Sequence, residues 1–191
     1  PSWGPNSIFN RYGDDIINKL LKMSSKFDII VRPHPQSFIS EKEMIDGLMN
    51  KFKNENIKWD LSNDNFESLN KSDILISDYS GIILEYAFIF EKPFIYNMFD
   101  MDYSKYDNYW FDDKIWYEVT LEKLGICLSK DDNYDNLEKT IESLLLDDSS
   151  YKKELHNIKN SAWMYIGEST KRTVDFLLEK KKFLEEKEKK D

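Results

Sequence analysis

Residues 73–96 constrain this chain more than any other stretch. Residues 73–76 are an apolar run, Ser77-Asp78-Tyr79-Ser80-Gly81 are small or polar, residues 82–90 are apolar again, and Lys92-Pro93-Phe94-Ile95-Tyr96 follows. The order reads as strand, tight turn, helix, second strand. Small residues stand where the helix begins. Free backbone N–H groups, the positive end of a helix dipole and a hydroxyl therefore meet at one point, which suits an anion such as a phosphate.

The rest of the chain extends that unit. Apolar positions Ile16, Ile17, Leu20, Leu21 and Met23 fall near helical period, so 8–25 reads as a helix. Residues 28–31 are a short apolar strand, ended by Arg32-Pro33-His34-Pro35, which cannot be helical. Ser40 with Glu43 three residues on predicts a capped helix running to about residue 53. A short strand at 57–59, a helical turn at 65–69, a strand at 125–128, and helices at 133–146, 149–163 and from 168 into a charged tail complete the reading. The strands alternate with helices, and 28–31 and 73–77 are apolar on both faces. That is the pattern of an α/β fold, a Rossmann-like parallel sheet with helices on both faces. The whole of 1–191 reads as a single domain. Its opening loop, Pro1-Ser2-Trp3-Gly4-Pro5-Asn6-Ser7, is of the kind that follows a central strand in a doubly wound unit. The expectation is therefore a C-terminal part of a longer protein, or a trimmed start.

Residues 99–119 differ in character. Tyr103, Tyr106, Tyr109, Trp110, Phe111, Trp116 and Tyr117 stand among acidic residues, which predicts a long connection with a short helix. It either packs over the domain edge or serves as a lid or partner surface. The net charge is −9, from 27 basic and 36 acidic side chains, which argues against binding nucleic acid through bulk charge. Cys127 is the sole cysteine, so no disulfide forms within the chain. Its apolar neighbours predict a buried thiol.

Two segments carry the chemistry. In the first, Ser80 is placed to cap the helix and Gly81 to let a ligand approach the backbone. Glu85, one helical turn on, could accept ribose or sugar hydroxyls. A carboxylate inside an otherwise apolar helix is costly unless it is paired or used. In the second, Arg32 can pair with a phosphate in bidentate fashion. His34, stiffened by two prolines, can donate to a diphosphate oxygen or act as acid or base. It follows a strand, and ligands of open α/β sheets bind at the C-terminal ends of strands. His156, among Lys152, Lys153 and Lys159, reads as a surface residue. One cysteine and two distant histidines fill no zinc site, and the chain has neither a P-loop nor a Gly-x-Gly-x-x-Gly motif. No cofactor is predicted, with a divalent metal ion left open.

Pro1-Ser2-Trp3, Arg32-Pro33-His34-Pro35, Ser77-Asp78-Tyr79-Ser80-Gly81, Glu85-Tyr86-Ala87 and Lys92-Pro93 together resemble the CDP-glycerol:poly(glycerophosphate) glycerophosphotransferase family. These are teichoic-acid-type polymerases and primases with the GT-B fold. The likeness covers roughly residues 1–100, and is less specific at 111–128 and Gly167-Glu168-Ser169. It implies the C-terminal, donor-nucleotide half of a GT-B enzyme that moves glycerol phosphate or a related polyol phosphate from a CDP-activated donor to a cell-surface polymer. It implies a catalytic His34, with Arg32, Asp78, Ser80, Gly81 and Glu85 at the donor. The family often has Asp where Glu85 stands and a second Ser where Gly81 stands, so the donor nucleotide or polyol can differ. The expected partners are a CDP-polyol, a polymer or lipid-linked acceptor and the N-terminal GT-B domain, with no nucleic acid. The expected setting is cytoplasmic, at the inner membrane face in the full-length protein, in teichoic acid, cell-wall or capsule synthesis. The isolated chain is expected to be inactive. Two alternatives stand beside this: a UDP-sugar glycosyltransferase or UDP-N-acetylglucosamine 2-epimerase relative, and a non-enzymatic module using 103–117.

Overall fold

A computed structural model of the chain describes residues 1–98, 116–128 and 135–188. The chain divides into two compact units, 1–155 and 156–191. In the first, short strands alternate with helices, as the apolar runs predict. β1 (Ile30–Val31) pairs in parallel with β2 (Lys58–Trp59). β3 (Leu75–Ser77), β4 (Phe94–Tyr96) and β5 (Ile126–Cys127) form a second parallel sheet in that order. The fold is α/β and Rossmann-like, its parallel strands flanked by helices.

The helix expected over 8–25 is two helices, α1 (Ile8–Tyr12) and α2 (Asp14–Lys22). Gly13, with φ 46° and ψ −119°, breaks it, a backbone conformation that glycine adopts without a Cβ clash. The expected Ser40 cap is also corrected. Residues Ser37–Ser40 form a short α3, and the Ser40 hydroxyl donates back to the Gln36 carbonyl. Helix α4 (Lys42–Lys51) starts at Glu41 with no side-chain cap. The Glu41 carboxylate instead accepts from the Gly4 amide at 2.7 Å and the Asn10 side chain at 2.6 Å.

The core joins both sheets to the helices. Ile17 and Ile45 from α2 and α4 lie in one cluster with Val31 of β1, Ile95 of β4, and Leu137 and Ile141 of α8 (Leu137–Leu146). Each fully buried aliphatic side chain contributes about 1.5–3 kcal/mol. All three residues of β4 are buried. Gly125, at the end of α7 (Trp116–Leu124), passes so close to β4 that an added Cβ would stand 2.2 Å from the Phe94 ring. Cys127 is exposed, against the buried thiol expected. It lies on β5, the last strand of its sheet, where one edge has no covering strand among the described residues. Lys92 and Tyr86 meet on the Ser72 carbonyl, at 2.9 and 2.8 Å. They close α5 (Phe66–Lys71) on α6 (Ile82–Phe90).

Helix α9 (Ser149–Ala162) runs into the second unit, whose other element is α10 (Ser169–Glu188). His156 is exposed there and contacts Asn160. Arg172 lies over the Tyr165 ring at 3.8 Å. No helix among the described residues is long and apolar enough to cross a membrane.

Candidate functional site

The first unit carries a cleft of about 1210 Å³, lined on one side by residues around β1 and on the other by residues around β3. Arg32, His34, Ser80, Gly81 and Glu85 all line it. Of the expected site residues only Asp78 does not. Asp78 is completely buried, and its two carboxylate oxygens accept the backbone amides of Ser2 at 2.6 Å and Ile8 at 2.7 Å. Its structural work is to fasten the opening loop across the end of β3. That loop brings Trp3 to 6.3 Å from the His34 ring.

Ser80 is not the helix cap. Gly81 takes that position in αR conformation, with no side-chain bond. The Ser80 backbone is held instead by Tyr117 from α7. The Tyr117 hydroxyl donates to the Ser80 carbonyl at 2.6 Å and accepts from the Ser80 amide at 3.1 Å. Burial pushes the Tyr117 phenol well above its ordinary range, so it stays protonated and can donate. The first helix-type bonds of α6 come from Ile83, Leu84 and Glu85, to the carbonyls of Ser80 and Gly81. The Gly81 and Ile82 amides precede them, at the positive end of the helix. A Cβ at Gly81 would meet nothing within 4 Å, so the space beside its Cα is open. Glu85 is exposed, so the burial penalty expected of a carboxylate in this helix does not arise.

Arg32 is already paired. Its guanidinium donates to Asp60 at 2.7 Å and to the Ser62 hydroxyl and carbonyl at 3.1 and 2.7 Å. Burial opposes charge on Asp60. Hydrogen bonds from Ser68, Ser62 and Arg32 outweigh it and hold the carboxyl well below the usual carboxylate range. Arg32 thus ties the ends of β1 and β2 to α5, with its own charge neutralised.

His34 has a fixed tautomer. Its Nδ1 accepts the Gln36 backbone amide at 3.0 Å, so the neutral ring carries its proton on Nε2. Burial lowers its pKa below the ordinary value, and the nearby α-amino charge acts the same way, against the opposing charges of Asp78 and Glu41. Protonation would also put a hydrogen on Nδ1 facing the Gln36 N–H. Near neutral pH His34 is an N–H donor and not a base.

One cleft is thus lined by a helix N-terminus, an imidazole N–H and an exposed carboxylate. Local sequence did not show Tyr117, Asp60, Ser62 or Glu41. The acidic residue closing the 57–59 strand and the tyrosine among the aromatics were the only signals. The residues Tyr103, Tyr106, Tyr109, Trp110 and Phe111 lie outside the described residues. Among the described residues no cluster of three metal-ligating side chains occurs.

No curated protein matches the chain. A family profile does: that of CDP-glycerol:poly(glycerophosphate) glycerophosphotransferase matches residues 16–179, taking in both segments that line the cleft mouth. The motifs, the parallel α/β fold and this match agree, and the chain belongs to the CDP-glycerol:poly(glycerophosphate) glycerophosphotransferase family, whose activity is that of a transferase.

Proposed function

We propose that this chain holds the diphosphate of a CDP-polyol at the cleft mouth, in a protein that transfers glycerol phosphate or a related polyol phosphate to a polymer hydroxyl. The observation that carries this is the pairing of the His34 Nε2–H with the open N-terminus of α6 along one cleft. In the transfer, the acceptor oxygen attacks the phosphorus that bears the polyol. The bond from that phosphorus to the bridging oxygen breaks, and CMP leaves with the negative charge. Amides of Gly81 and Ile82 and the His34 N–H are suited to stabilise that charge. Glu85 offers an acceptor for ribose or polyol hydroxyls. The acceptor proton must go elsewhere, because His34 already holds a proton on Nε2 and its Nδ1 is occupied. This supports a base from a second, N-terminal GT-B domain, with the site closed between the two. A protein of this kind would work in the cytoplasm at the inner membrane face, in teichoic-acid-type polymer, cell-wall or capsule synthesis.

Calorimetric titration with CDP, CDP-glycerol and UDP-sugars tests the reading. CDP-glycerol binds, and His34→Ala weakens it by about 10- to 100-fold, the loss of one hydrogen bond to a charged group at about 1.5–3 kcal/mol. A preference for UDP-sugars moves the chain to sugar transfer. Binding of none of them by a folded chain refutes the donor site.

A further inference from the structure

We propose that Trp3 is a platform for the acceptor: the last polyol unit of the acceptor chain lies against its indole face while the chain-end hydroxyl reaches the phosphorus. This rests on the transfer reading above and adds the acceptor's place to it.

Trp3 is half exposed, at 51%, although the same opening segment buries Ser7, Ile8 and Phe9. Tryptophan has more apolar area to hide than any of these. Its exposure is not the slackness of a loose loop, because the backbone on either side of it is fixed. Asp78 accepts the Ser2 amide, and Glu41 accepts the Gly4 amide. The Gly4 carbonyl accepts the Ser7 amide at 3.0 Å and the Asn10 side chain at 2.9 Å. Gly4 opens that turn with φ 89°, a left-handed conformation glycine adopts without a Cβ clash. Two carboxylates, 76 and 37 positions from the amides they accept, thus hold one indole in one place.

The anchoring is costly. Glu41 serves Gly4 and Asn10 through Oε1 alone, and its Oε2 is buried without a hydrogen-bond partner among the described residues. Buried polar atoms are normally paired, and departures from such rules gather at functional sites.

The position of the ring selects the ligand. Its centre is 6.3 Å from that of the His34 ring. His34 lines the cleft and Trp3 does not. A molecule resting on Trp3 is therefore beside the imidazole yet outside the space given to the nucleotide. The acceptor must come there, because its oxygen has to approach within about 3–3.5 Å of the phosphorus. The chemistry agrees. An indole face is apolar and carries the negative side of the ring quadrupole. An extended polyol lays its C–H flank on such a face and keeps its hydroxyls in water. The ring stands singly between Ser2 and Gly4, too small an apolar area for a protein or lipid surface but enough for a thin chain.

The test uses the 191-residue chain and a synthetic glycerol phosphate tetramer. The indole N–H signal of Trp3, assigned by its loss in Trp3→Phe, is followed by NMR with no nucleotide present. The tetramer shifts this signal, and inorganic phosphate at equal concentration does not. Trp3→Ala weakens tetramer binding about tenfold, the effect of losing one covered ring face. Trp3→Phe, which keeps a smaller platform, weakens it less. Calorimetry gives Trp3→Ala the parent's affinity for CDP and for CDP-glycerol. A Trp3 signal that the tetramer leaves unmoved overturns the proposal, as does an equal shift with phosphate. Tetramer affinity retained in Trp3→Ala overturns it too. A loss of CDP-glycerol affinity in that variant assigns the ring to the donor and overturns the acceptor role. Should Trp3→Ala fail to fold, Trp3→Phe decides, and parent-like tetramer affinity there overturns the proposal. Failure of CDP to bind the parent chain counts against the donor site separately, since the tetramer titration contains no nucleotide.

Discussion

Replacing Asp78 with Asn isolates the anchor of the opening loop. The carboxylate accepts two backbone amides, at 2.6 and 2.7 Å, with no exposure to solvent. Asparagine is almost the same size, but one of its two termini is an NH₂ group and would face an N–H donor. The variant thus loses one charge-assisted bond, about 1.5–3 kcal/mol, and leaves one buried amide without an acceptor, about 1–3 kcal/mol more. Removing a buried charge recovers part of this. The expected loss is about 3 kcal/mol. For a chain of this size about 1 kcal/mol moves Tm by roughly 2–4 °C, so the drop is about 6–12 °C. Urea denaturation followed by tryptophan emission reads it, with the midpoint lowered and the slope kept. Asp73→Asn is the control, since Asp73 is exposed and expected to stay within about 0.5 kcal/mol of the parent. If Asp78→Asn matches that control, the anchor is not structural and a direct ligand role for Asp78 returns.

His34 titrates below its ordinary value, so the unfolded chain binds a proton there that the folded chain does not. Stability from this group is fully present above about pH 6.5 and falls with acidification; ring-proton NMR should show His34 titrating at lower pH than a free histidine, and an equal or higher midpoint contradicts the assignment. Tyr117→Phe removes both bonds to the Ser80 backbone, costing about 1–3 kcal/mol; faster amide exchange at Ser80 is the readout, and an unchanged rate counts against the clamp. Gly125→Ala puts a methyl group onto the Phe94 and Tyr96 rings of β4. Overpacking of this kind costs about 1–3 kcal/mol, and a Tm equal to the parent's would show that the rings yield freely.

What could be read in advance was local. Alternating apolar runs placed β1, β3, α6 and β4 because strand and helix periods are properties of neighbouring residues. The segments carrying His34 and Ser80 were placed on the cleft for the same reason. Their partners were not legible. Asp78 bonds to residues 76 and 70 positions away, and Ser80 is held by a tyrosine 37 positions on. Arg32 looked like a phosphate ligand because a bidentate guanidinium stands beside His34 just after a strand; Asp60, 28 residues later, takes it instead. Ser80 and Ser40 fit cap patterns, but each turn is held by other groups. Cys127 misled because an apolar run reads the same in a central strand and at a sheet edge.

The pairing of Arg32 with Asp60 bears on how a diphosphate would be attracted. Of the cations that line the cleft, Arg32 is balanced by Asp60, Lys26 by Glu138 and Glu142, and Lys71 by Glu67, with Lys58 acting on the same Glu67. The overall charge of −9 adds repulsion at long range. Attraction then rests on short-range dipoles, amides at the start of α6 and an imidazole N–H. Added salt screens charges over about 8–10 Å but leaves such contacts nearly intact. Donor affinity at this mouth should therefore hold, or rise slightly, as ionic strength increases, where a lysine- or arginine-built phosphate site would weaken.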